Sequence, residues 1–288
     1  MAEVTAAMVK ELRERTGLGM MDCKKALSEA HGDMERAIED LRKSSALKAA
    51  KKADRTAADG LLGIRIAPDG RRAAMVEVNI ETDFAARNEK FVAFVDRVLN
   101  TVFDRRSADV AGLLAGGLEA EREALVQEIG ENVSVRRAAL LEGARIHFYL
   151  HGDKKKGALV ALDGGDDDLG RDIAMHVVAI NPMVVESTQL SPEVVAKERE
   201  IYTAQAADSG KPADIVAKMV DGRVRKFLAE VSLVDQPFVK DANVKVSKLL
   251  ADRKARCTGF VRFEVGEGID KVETDFAAEV AAQVKGKG

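Results

Sequence analysis

The sequence predicts an α+β protein, in which helices and strands occupy separate stretches of the chain. Three observations support this class. Residues 1–45 carry apolar side chains at helical spacing, residues 61–81 and 144–165 have strand–turn–strand patterns that are each followed by a helical pattern, and residues 191–230 resemble two charged helices. The strand–turn–strand–helix unit occurs twice, which indicates an internal duplication.

Residues 1–45 are predicted to form three short helices. Thr5 is placed to cap the first helix, and residues 16–19 ("TGLG") to end it, because glycine tolerates the left-handed conformation of a helix C-cap. Gly32 ends the second helix and Asp33 begins the third. The alanine-rich, basic residues 44–60 are only weakly periodic, so we expect a linker there.

The first repeated unit begins with a hairpin whose turn is formed by residues 68–70, Pro-Asp-Gly. The second strand alternates between apolar and polar positions, which predicts one buried face: Val76, Val78 and Ile80 against Glu77, Asn79 and Glu81. The helix that follows has an apolar stripe formed by Phe84, Phe91, Val95 and Leu99. Further helical sequence is predicted from about Val110 to Glu142.

The second unit repeats this outline. Its first strand places Ile146, Phe148 and Leu150 on one face and His147 on the opposite, polar face. Residues 191–230 then predict an antiparallel pair of helices joined at residues 209–212, with Gly210 as the stop and Pro212 as the start. A strand at residues 257–265 and a final helix complete the chain.

Composition excludes several classes of protein. The 46% apolar and 32% charged residues are typical of a folded protein. The net charge of −3 gives no basic surface, so we expect neither direct binding of nucleic acid nor binding to a membrane. The two cysteines, Cys23 and Cys257, are far apart in the sequence and form no disulfide framework. The first residues contain no signal peptide and no apolar run is long enough to span a membrane, so we expect a cytoplasmic protein.

No catalytic signature is present. Residues 152–157 ("GDKKKG") have the glycine spacing of a phosphate-binding loop but are followed by Ala-Leu, and no HExxH, CxxC or GxSxG motif occurs. The spacing of the histidines favours structural roles over a metal site: His31, His147, His151 and His176. These observations favour a partner-binding protein over an enzyme, with no catalytic residue, cofactor or metal.

The hexapeptide ETDFAA occurs twice, at residues 81–86 and 273–278, each time between a strand and a helix. Thr82 is placed to cap a helix and Asp83 lies in its first turn. Taken alone, the residues favour a Phe84 that packs inward, but an outward Phe84 next to Asp83 would make a compact probe for a partner. Phe276 continues an apolar stripe with residues 280 and 284, whereas the helix after Phe84 already has Phe91, Phe94 and Val95 for its core.

Several motifs, in order along nearly the whole chain, resemble the bacterial elongation factor Ts family. They are "VKELRERTGLGMMDCKKAL", "EVNIETDF", "IGENVSVRR", "IAMHVVA", "SGKP", "KMVDGR" and "TGFVRFEVGEGIDKVETDFAAEVA". The resemblance implies an N-terminal three-helix bundle like a ubiquitin-associated (UBA) domain, a two-lobed α+β core, an inserted antiparallel coiled-coil hairpin and a C-terminal module. The expected divisions are 1–54 (UBA-like domain and linker), 55–140 (first lobe), 141–190 (first part of the second lobe), 191–230 (hairpin), 231–265 (completion of the second lobe) and 266–288 (C-terminal module).

The resemblance also implies a function, guanine-nucleotide exchange on the GTPase elongation factor Tu. Its members bind the GDP form, displace Mg²⁺ and promote GDP release during translation elongation. The segment that displaces Mg²⁺ corresponds here to Thr82, Asp83, Phe84 and Ala85. Further partner contacts correspond to Met20, Met21, Lys24, Ile129, Gly130, His151 and Phe276. Some members form homodimers, here expected through the core or the hairpin. The alternative is an adaptor without exchange activity that associates with the ribosome or with chaperones.

Overall fold

The computed structural model describes residues 4–207 and 212–270, and it combines helices and sheets in separate stretches, consistent with the α+β class. The second ETDFAA, with Phe276, and the predicted stop at Gly210 lie outside the described residues. Over the residues that are described, no helix has the length and apolar character needed to cross a bilayer.

Three helices form the N-terminal part: α1 (Ala6–Thr16), α2 (Met20–Glu29) and α3 (Met34–Ala50). The predicted caps are confirmed, because Thr5 accepts from the Met8 N–H and Gly17 adopts φ 72° after α1. The linker prediction is wrong for residues 44–50, which continue α3. Alanine has the highest helix propensity, and Ser45 is buried where its hydroxyl lies 2.6 Å from Gln127 Oε1 of the core.

The first sheet is antiparallel, with the order β1-β2-β3, and helices lie between its second and third strands. In chain order the elements are β1 (Asp59–Ile66), β2 (Arg72–Ile80), α4 (Asp83–Ala86), α5 (Glu89–Arg105), α6 (Val110–Leu113), a π-helical stretch (Leu114–Leu118), α7 (Glu119–Ile129) and β3 (Val133–Glu142). The helix predicted to reach Glu142 is therefore wrong beyond Ile129. Gly130 ends α7 at φ 88°, and the residues after it pair with β2.

The second sheet repeats this order, since a hairpin again pairs through its second strand with a third, later strand. Its strands and the elements between them are β4 (Arg145–Leu150), β5 (Lys156–Asp163), α8 (Asp167–Ile180), α9 (Pro192–Ala207), α10 (Ala213–Val231), β6 (Pro237–Phe238), β7 (Asp241–Lys245), α11 (Val246–Asp252) and β8 (Arg256–Glu264). The sheet order is β4-β5-β8, so the predicted repetition of the strand–turn–strand–helix unit is confirmed as an arrangement of elements.

Both sheets are buried on two faces. Helix α5 covers the outer face of the first sheet, and α8 covers that of the second. Between the sheets lies an apolar layer that includes Leu62, Met75, Leu159 and Phe263. The prediction that β2 has one buried face is therefore wrong: the polar residues Glu77 and Asn79 are buried as well.

The environment of β4 also differs from the prediction. Ile146 and Leu150 pack into the layer between the sheets, but Phe148 is half exposed because β4 is the edge strand of its sheet. His147 is buried under α8, where a Cβ added to Gly170 would lie 2.0 Å from the imidazole Cγ. The predicted polar face of β4 is thus a helix-covered face.

Helices α9 and α10 pack against each other, which confirms that these residues form a pair of helices. Arg199 of α9 forms an ion pair with Asp221 of α10 at 2.5 Å, and Arg223 binds Gln205 at 2.9 Å. Their seam is apolar and small: Val195, Tyr202, Ala206, Val216, Val220, Val224 and Leu228. Its coiled-coil character stays a prediction.

Candidate functional site

The candidate site is the junction where β2 ends and a single helical turn, α4, begins. Thr82 is extended at φ −125°, ψ 155°, and its hydroxyl accepts from the Ala85 N–H at 3.2 Å. This is the N-cap geometry that threonine favours, so the turn is encoded locally. The predicted single helix is interrupted at residues 87–88, where Asn88 caps α5 by accepting from the Lys90 N–H.

A second element holds the turn from outside. Glu131, which follows the C-cap of α7, accepts from the Thr82 N–H at 2.9 Å through Oε2 and from the Thr82 hydroxyl at 2.8 Å through Oε1. In return, the Asn132 N–H donates to the Glu81 carboxylate at 2.6 Å. These reciprocal bonds between neighbouring strand ends fix the turn, because charge-assisted hydrogen bonds are the stronger and more directional ones.

Phe84 points away from the core. Its side chain is 81% exposed, whereas the next two residues, Ala85 and Ala86, are buried against the first sheet and α5. The inward packing favoured by the residues alone is therefore wrong for Phe84, and the outward alternative is correct. Phe91 and Val95 fill the core under α5, as the sequence predicted.

Asp83 is paired within the turn. Its carboxylate accepts from Arg87 at 2.9 Å, an i,i+4 ion pair whose arginine is mostly exposed. Such exposed pairs are weak, on the order of 0.5 kcal/mol. Asp83 is therefore available to a stronger donor, and the site as a whole is a phenyl ring beside an exchangeable carboxylate on a fixed turn.

The other predicted contact residues fall into three places. Met20, Met21 and Lys24 are exposed at the start of α2, directly after the turn at Gly17, whose carbonyl accepts from Lys90 near the start of α5. This contact joins the turn before α2 to the start of α5.

Ile129 and Gly130 precede Glu131 and so belong to the element that holds Thr82. His151 is exposed at the end of β4, on the second sheet, and the structure places it with Tyr149 at 3.3 Å rather than with the turn at Thr82. The structure therefore brings Ile129 and Gly130 together with α4, whereas His151 lies apart from them, on the second sheet.

The other histidines have structural surroundings. His176 is fully buried, lies 2.9 Å from Gln236 Oε1 through Nε2, and accepts from the Val239 N–H through Nδ1 at 3.1 Å. Burial lowers the pKa of His176, and it also lowers the pKa of His147. In the described part of the chain, no group of three or more His, Cys, Asp or Glu residues is arranged to hold a metal ion.

Sequence reasoning missed Glu131 and Glu81 as residues that hold the turn. Glu131 lies within the motif "IGEN", directly after the glycine that ends α7, and an acid at that position was a usable signal. Its partner is 49 positions away, so no local pattern identifies the contact.

The comparisons with known proteins point to one family. The family described as Elongation factor TS matches residues 81–267, which begins at the turn itself. Proteins named Elongation factor Ts are similar over nearly their whole length: one from Hahella chejuensis is 60% identical over 99% of this chain and 100% of its own, and one from Saccharophagus degradans is 59% identical over 98% of each. A third, from Marinobacter nauticus, is 56% identical over 98% of each chain. The chain therefore belongs to the elongation factor Ts family.

Proposed function

We propose that the protein is a guanine-nucleotide exchange factor that binds the GDP form of elongation factor Tu in the cytoplasm, displaces Mg²⁺ and promotes GDP release. The single observation that carries this proposal is the exposed Phe84 on a turn held by Glu131. Family membership supports a role in translation elongation. The protein performs no bond chemistry of its own in this account, and it needs no cofactor.

Phe84 is the residue that inserts into the partner and acts as a wedge there. Burying a phenyl ring that is otherwise in water contributes about 1.5–3 kcal/mol, so an apolar slot in the GTPase would attract it. The GTPase holds its nucleotide through a phosphate loop and a bound Mg²⁺. In the proposed complex the ring inserts beside a helix of the GTPase and shifts the segment that orders Mg²⁺. Because the turn is already fixed, little ordering entropy is lost on insertion.

Asp83 and Thr82 support that step. Asp83 leaves its weak pair with Arg87 and accepts from donors of the displaced segment, which stabilises the Mg²⁺-free arrangement. Thr82 keeps the cap, and Ala85 anchors the turn in the core. The protein then binds the nucleotide-free GTPase more tightly than the GDP form. By linkage, it weakens the affinity of the GTPase for GDP by the same ratio.

The remaining contact area comes from other surfaces. Met20, Met21 and Lys24, exposed on the UBA-like bundle, would contribute one part, and Ile129 and Gly130, which directly precede Glu131, another. His151 and Phe276 would extend the interface along the second lobe and the C-terminal module. A specific interface of this kind buries roughly 800 Å² on each partner. The coiled-coil hairpin and the core remain the proposed surfaces for a homodimer.

The exposed methionines also support a second candidate, an adaptor without exchange activity that associates with the ribosome or chaperones. Met20 and Met21, 51% and 77% exposed on a small bundle, are adaptable side chains of the sort found on promiscuous binding surfaces. Such an adaptor would use the bundle and the α9–α10 pair, and Phe84 would be dispensable.

Nucleotide dependence separates the two candidates. Elongation factor Tu stripped of nucleotide is mixed with the chain and analysed by gel filtration, alone and after addition of GDP with Mg²⁺. We expect a one-to-one complex that dissociates on addition. A complex that persists in GDP and Mg²⁺, or no complex at all, would contradict the exchange function.

A further inference from the structure

A buried carboxylate lies at the middle of β2, away from the candidate site. Glu77 is 0% exposed, and its two oxygens accept from Arg136 at 3.1 Å and from Arg137 at 2.5 Å. The Gly266 N–H donates to the same carboxylate at 2.8 Å. We call Glu77, Arg136, Arg137 and the turn at Glu264–Gly268 the Glu77 cluster.

A β-bulge allows two adjacent arginines to reach one carboxylate. In a regular strand, neighbouring side chains point to opposite faces. The pairing of β2 with β3 shifts at this point: Glu77 lies opposite Arg137, and Val78 lies opposite Val135, so Arg136 is the extra residue. A bulge of this kind re-aims a side chain. Here it brings both guanidinium groups to the face that looks toward the second sheet.

The arginines extend from the carboxylate to the second sheet. Arg136 donates to the Glu267 carbonyl, and Arg137 donates to the Glu264 carbonyl at 3.0 Å. The Arg137 guanidinium also lies over the aromatic ring of Phe263 in β8, 4.2 Å from the ring centre. Arg262 closes the network from the other side by binding Glu264 at 2.6 Å and Glu267 at 2.9 Å.

The turn that receives these bonds fits closely. Gly266 has φ 73°, and a Cβ added there would lie 2.2 Å from the carbonyl oxygen of Ala58, the residue before β1. Only glycine brings the backbone of the second sheet this near to the first. The cluster therefore joins the two sheets at one defined point through directional bonds.

The rest of the contact between the sheets is an apolar layer, which is not directional. Buried ionic groups add little net stability compared with apolar side chains, and their best-attested use is to fix one arrangement among several. A single buried acid that binds two arginines and a backbone N–H restricts how the sheets can slide or rotate. The cluster is thus suited to setting the register of the sheets.

The same two strands carry the candidate site. From Glu77 to Thr82 along β2 is roughly 16 Å at the rise of an extended strand. Farther along, β2 and β3 are joined again where Asn132 donates to Glu81 and where Glu131 holds Thr82. The strand pair therefore connects the cluster rigidly to the turn that carries Phe84.

We propose that Glu77 is a positioning residue for nucleotide exchange, which holds the Phe84 turn in a fixed position relative to the second sheet by binding Arg136, Arg137 and Gly266 together. The inference rests on the proposed function. The partner is taken to contact both the Phe84 turn and the second sheet. When the distance between these two surfaces is fixed, binding at one surface favours binding at the other, so association is stronger without any additional contact.

The first test measures the spacing between the sheets directly. Spin labels are attached to cysteines introduced at Asp96 of α5 and Asp168 of α8, two exposed positions on the helices that cover different sheets, and their separation is measured by double electron–electron resonance. The native Cys23 and Cys257 are both buried. We expect one narrow distribution in the parent and a broader or shifted one in Glu77→Gln, and an unchanged distribution in that variant would overturn the inference.

The matched control is Asp104→Asn, which also turns a carboxylate into an amide and removes an arginine pair, that with Arg65 at 3.0 Å. This pair lies within the first sheet and α5, so the distribution should stay that of the parent. If Glu77→Gln does not fold, Arg137→Lys takes its place. The Arg137 side chain is 30% exposed, so this substitution is the milder one. Lysine keeps the positive charge but cannot form the several directional hydrogen bonds of the guanidinium group.

The second test separates positioning from the action of the wedge. Release of fluorescent GDP from elongation factor Tu is followed by stopped flow over a range of factor concentrations. We expect Glu77→Gln to raise the half-saturating concentration about tenfold, a typical size for lost coupling, and to leave the maximal release rate within about twofold. Phe84→Ala should instead lower the maximal rate.

Two failures are distinguishable. A parent chain that does not accelerate GDP release contradicts the proposed function. If the parent accelerates GDP release, the positioning role alone is overturned by either of two results for Glu77→Gln. One is an unchanged half-saturating concentration, and the other is a loss of maximal rate without a change in that concentration.

Discussion

Glu131 binds Thr82 through both oxygens of its carboxylate, one to the backbone N–H at 2.9 Å and one to the side-chain hydroxyl at 2.8 Å. The contact joins the end of α7 to the end of β2, two elements far apart in the chain. Since Thr82 also caps α4, the same residue both starts the turn under Phe84 and ties it to the neighbouring element. We therefore expect the orientation of Phe84 to depend on Glu131.

Replacing Glu131 by Ala should loosen the turn without unfolding the protein. The two lost hydrogen bonds lie at an exposed position, so we expect a loss of about 1 kcal/mol in the free energy of unfolding. Exchange should suffer more, by roughly tenfold in the rate of GDP release, because a mobile Phe84 must be ordered on binding. Glu142→Ala, an exposed glutamate at the far end of β3, is the control and should match the parent in both measurements. Equal exchange by Glu131→Ala and the parent would contradict the proposed orienting role.

Two helical glycines provide a matched prediction for stability. In Gly170→Ala, the new Cβ would lie 2.0 Å from His147 Cγ, so the buried imidazole must move. We expect a loss of about 1–3 kcal/mol in urea denaturation, the usual cost of overpacking.

In Gly222→Ala, on α10, the new Cβ meets no atom within 4 Å among the described residues. This change should stabilise the protein by about 0.5–1 kcal/mol, since alanine favours the helix. Losses of equal size in the two variants would show that the packing of His147 under α8 is not as described.

Stability should fall as the pH is lowered through the ordinary range of histidine. Burial lowers the pKa of His176 and of His147 in the folded protein, while the unfolded chain keeps a value of about 6.5. As the pH falls below about 7, the unfolded state therefore binds more protons than the folded one, which favours unfolding. The contribution of these two histidines to the free energy of unfolding is fully present above the pKa that they have in the unfolded chain. It is lost as the pH falls toward their lower pKa in the folded protein.

The check is the free energy of unfolding in urea at a series of pH values from 7.5 down to 5.5. His176→Leu removes one of the two buried groups and should flatten the dependence, although the variant is less stable at every pH. Phe84→Ala, which removes no titratable group, should keep the slope of the parent. A slope in His176→Leu as steep as in the parent would contradict the assignment.

Local features of the fold were predictable from the sequence, and contacts between distant elements were not. The Thr82 cap, the glycine end of α1 and the apolar stripe of α5 depend on neighbours within one or two turns. The alanine-rich end of α3 is different. Residues 44–50 are only weakly periodic, and their two buried members contact the core, Ser45 through Gln127 and Ala49 through the apolar cluster of the first sheet.

The polar residues of β2 show the same limit. Alternation predicted an exposed Glu77, but a second sheet covers that face, and Glu77 binds two arginines and a turn that lies 189 positions further along the chain. Likewise, the outward Phe84 could be argued from the ample apolar supply of α5, whereas Glu131 could not be paired with Thr82 by any local rule. Long-range partners are decided by how the sheets and helices pack.

Phe84 is the residue proposed to drive GDP release, and stopped-flow kinetics with a single variant test this role. Elongation factor Tu carrying fluorescent GDP is mixed in a stopped-flow instrument with saturating parent protein or with Phe84→Ala, whose exposed position predicts an unchanged free energy of unfolding. We expect the variant to bind but to show a maximal rate of GDP release at least tenfold lower, because about 1.5–3 kcal/mol of ring burial is lost. Release by Phe84→Ala as fast as by the parent would contradict it.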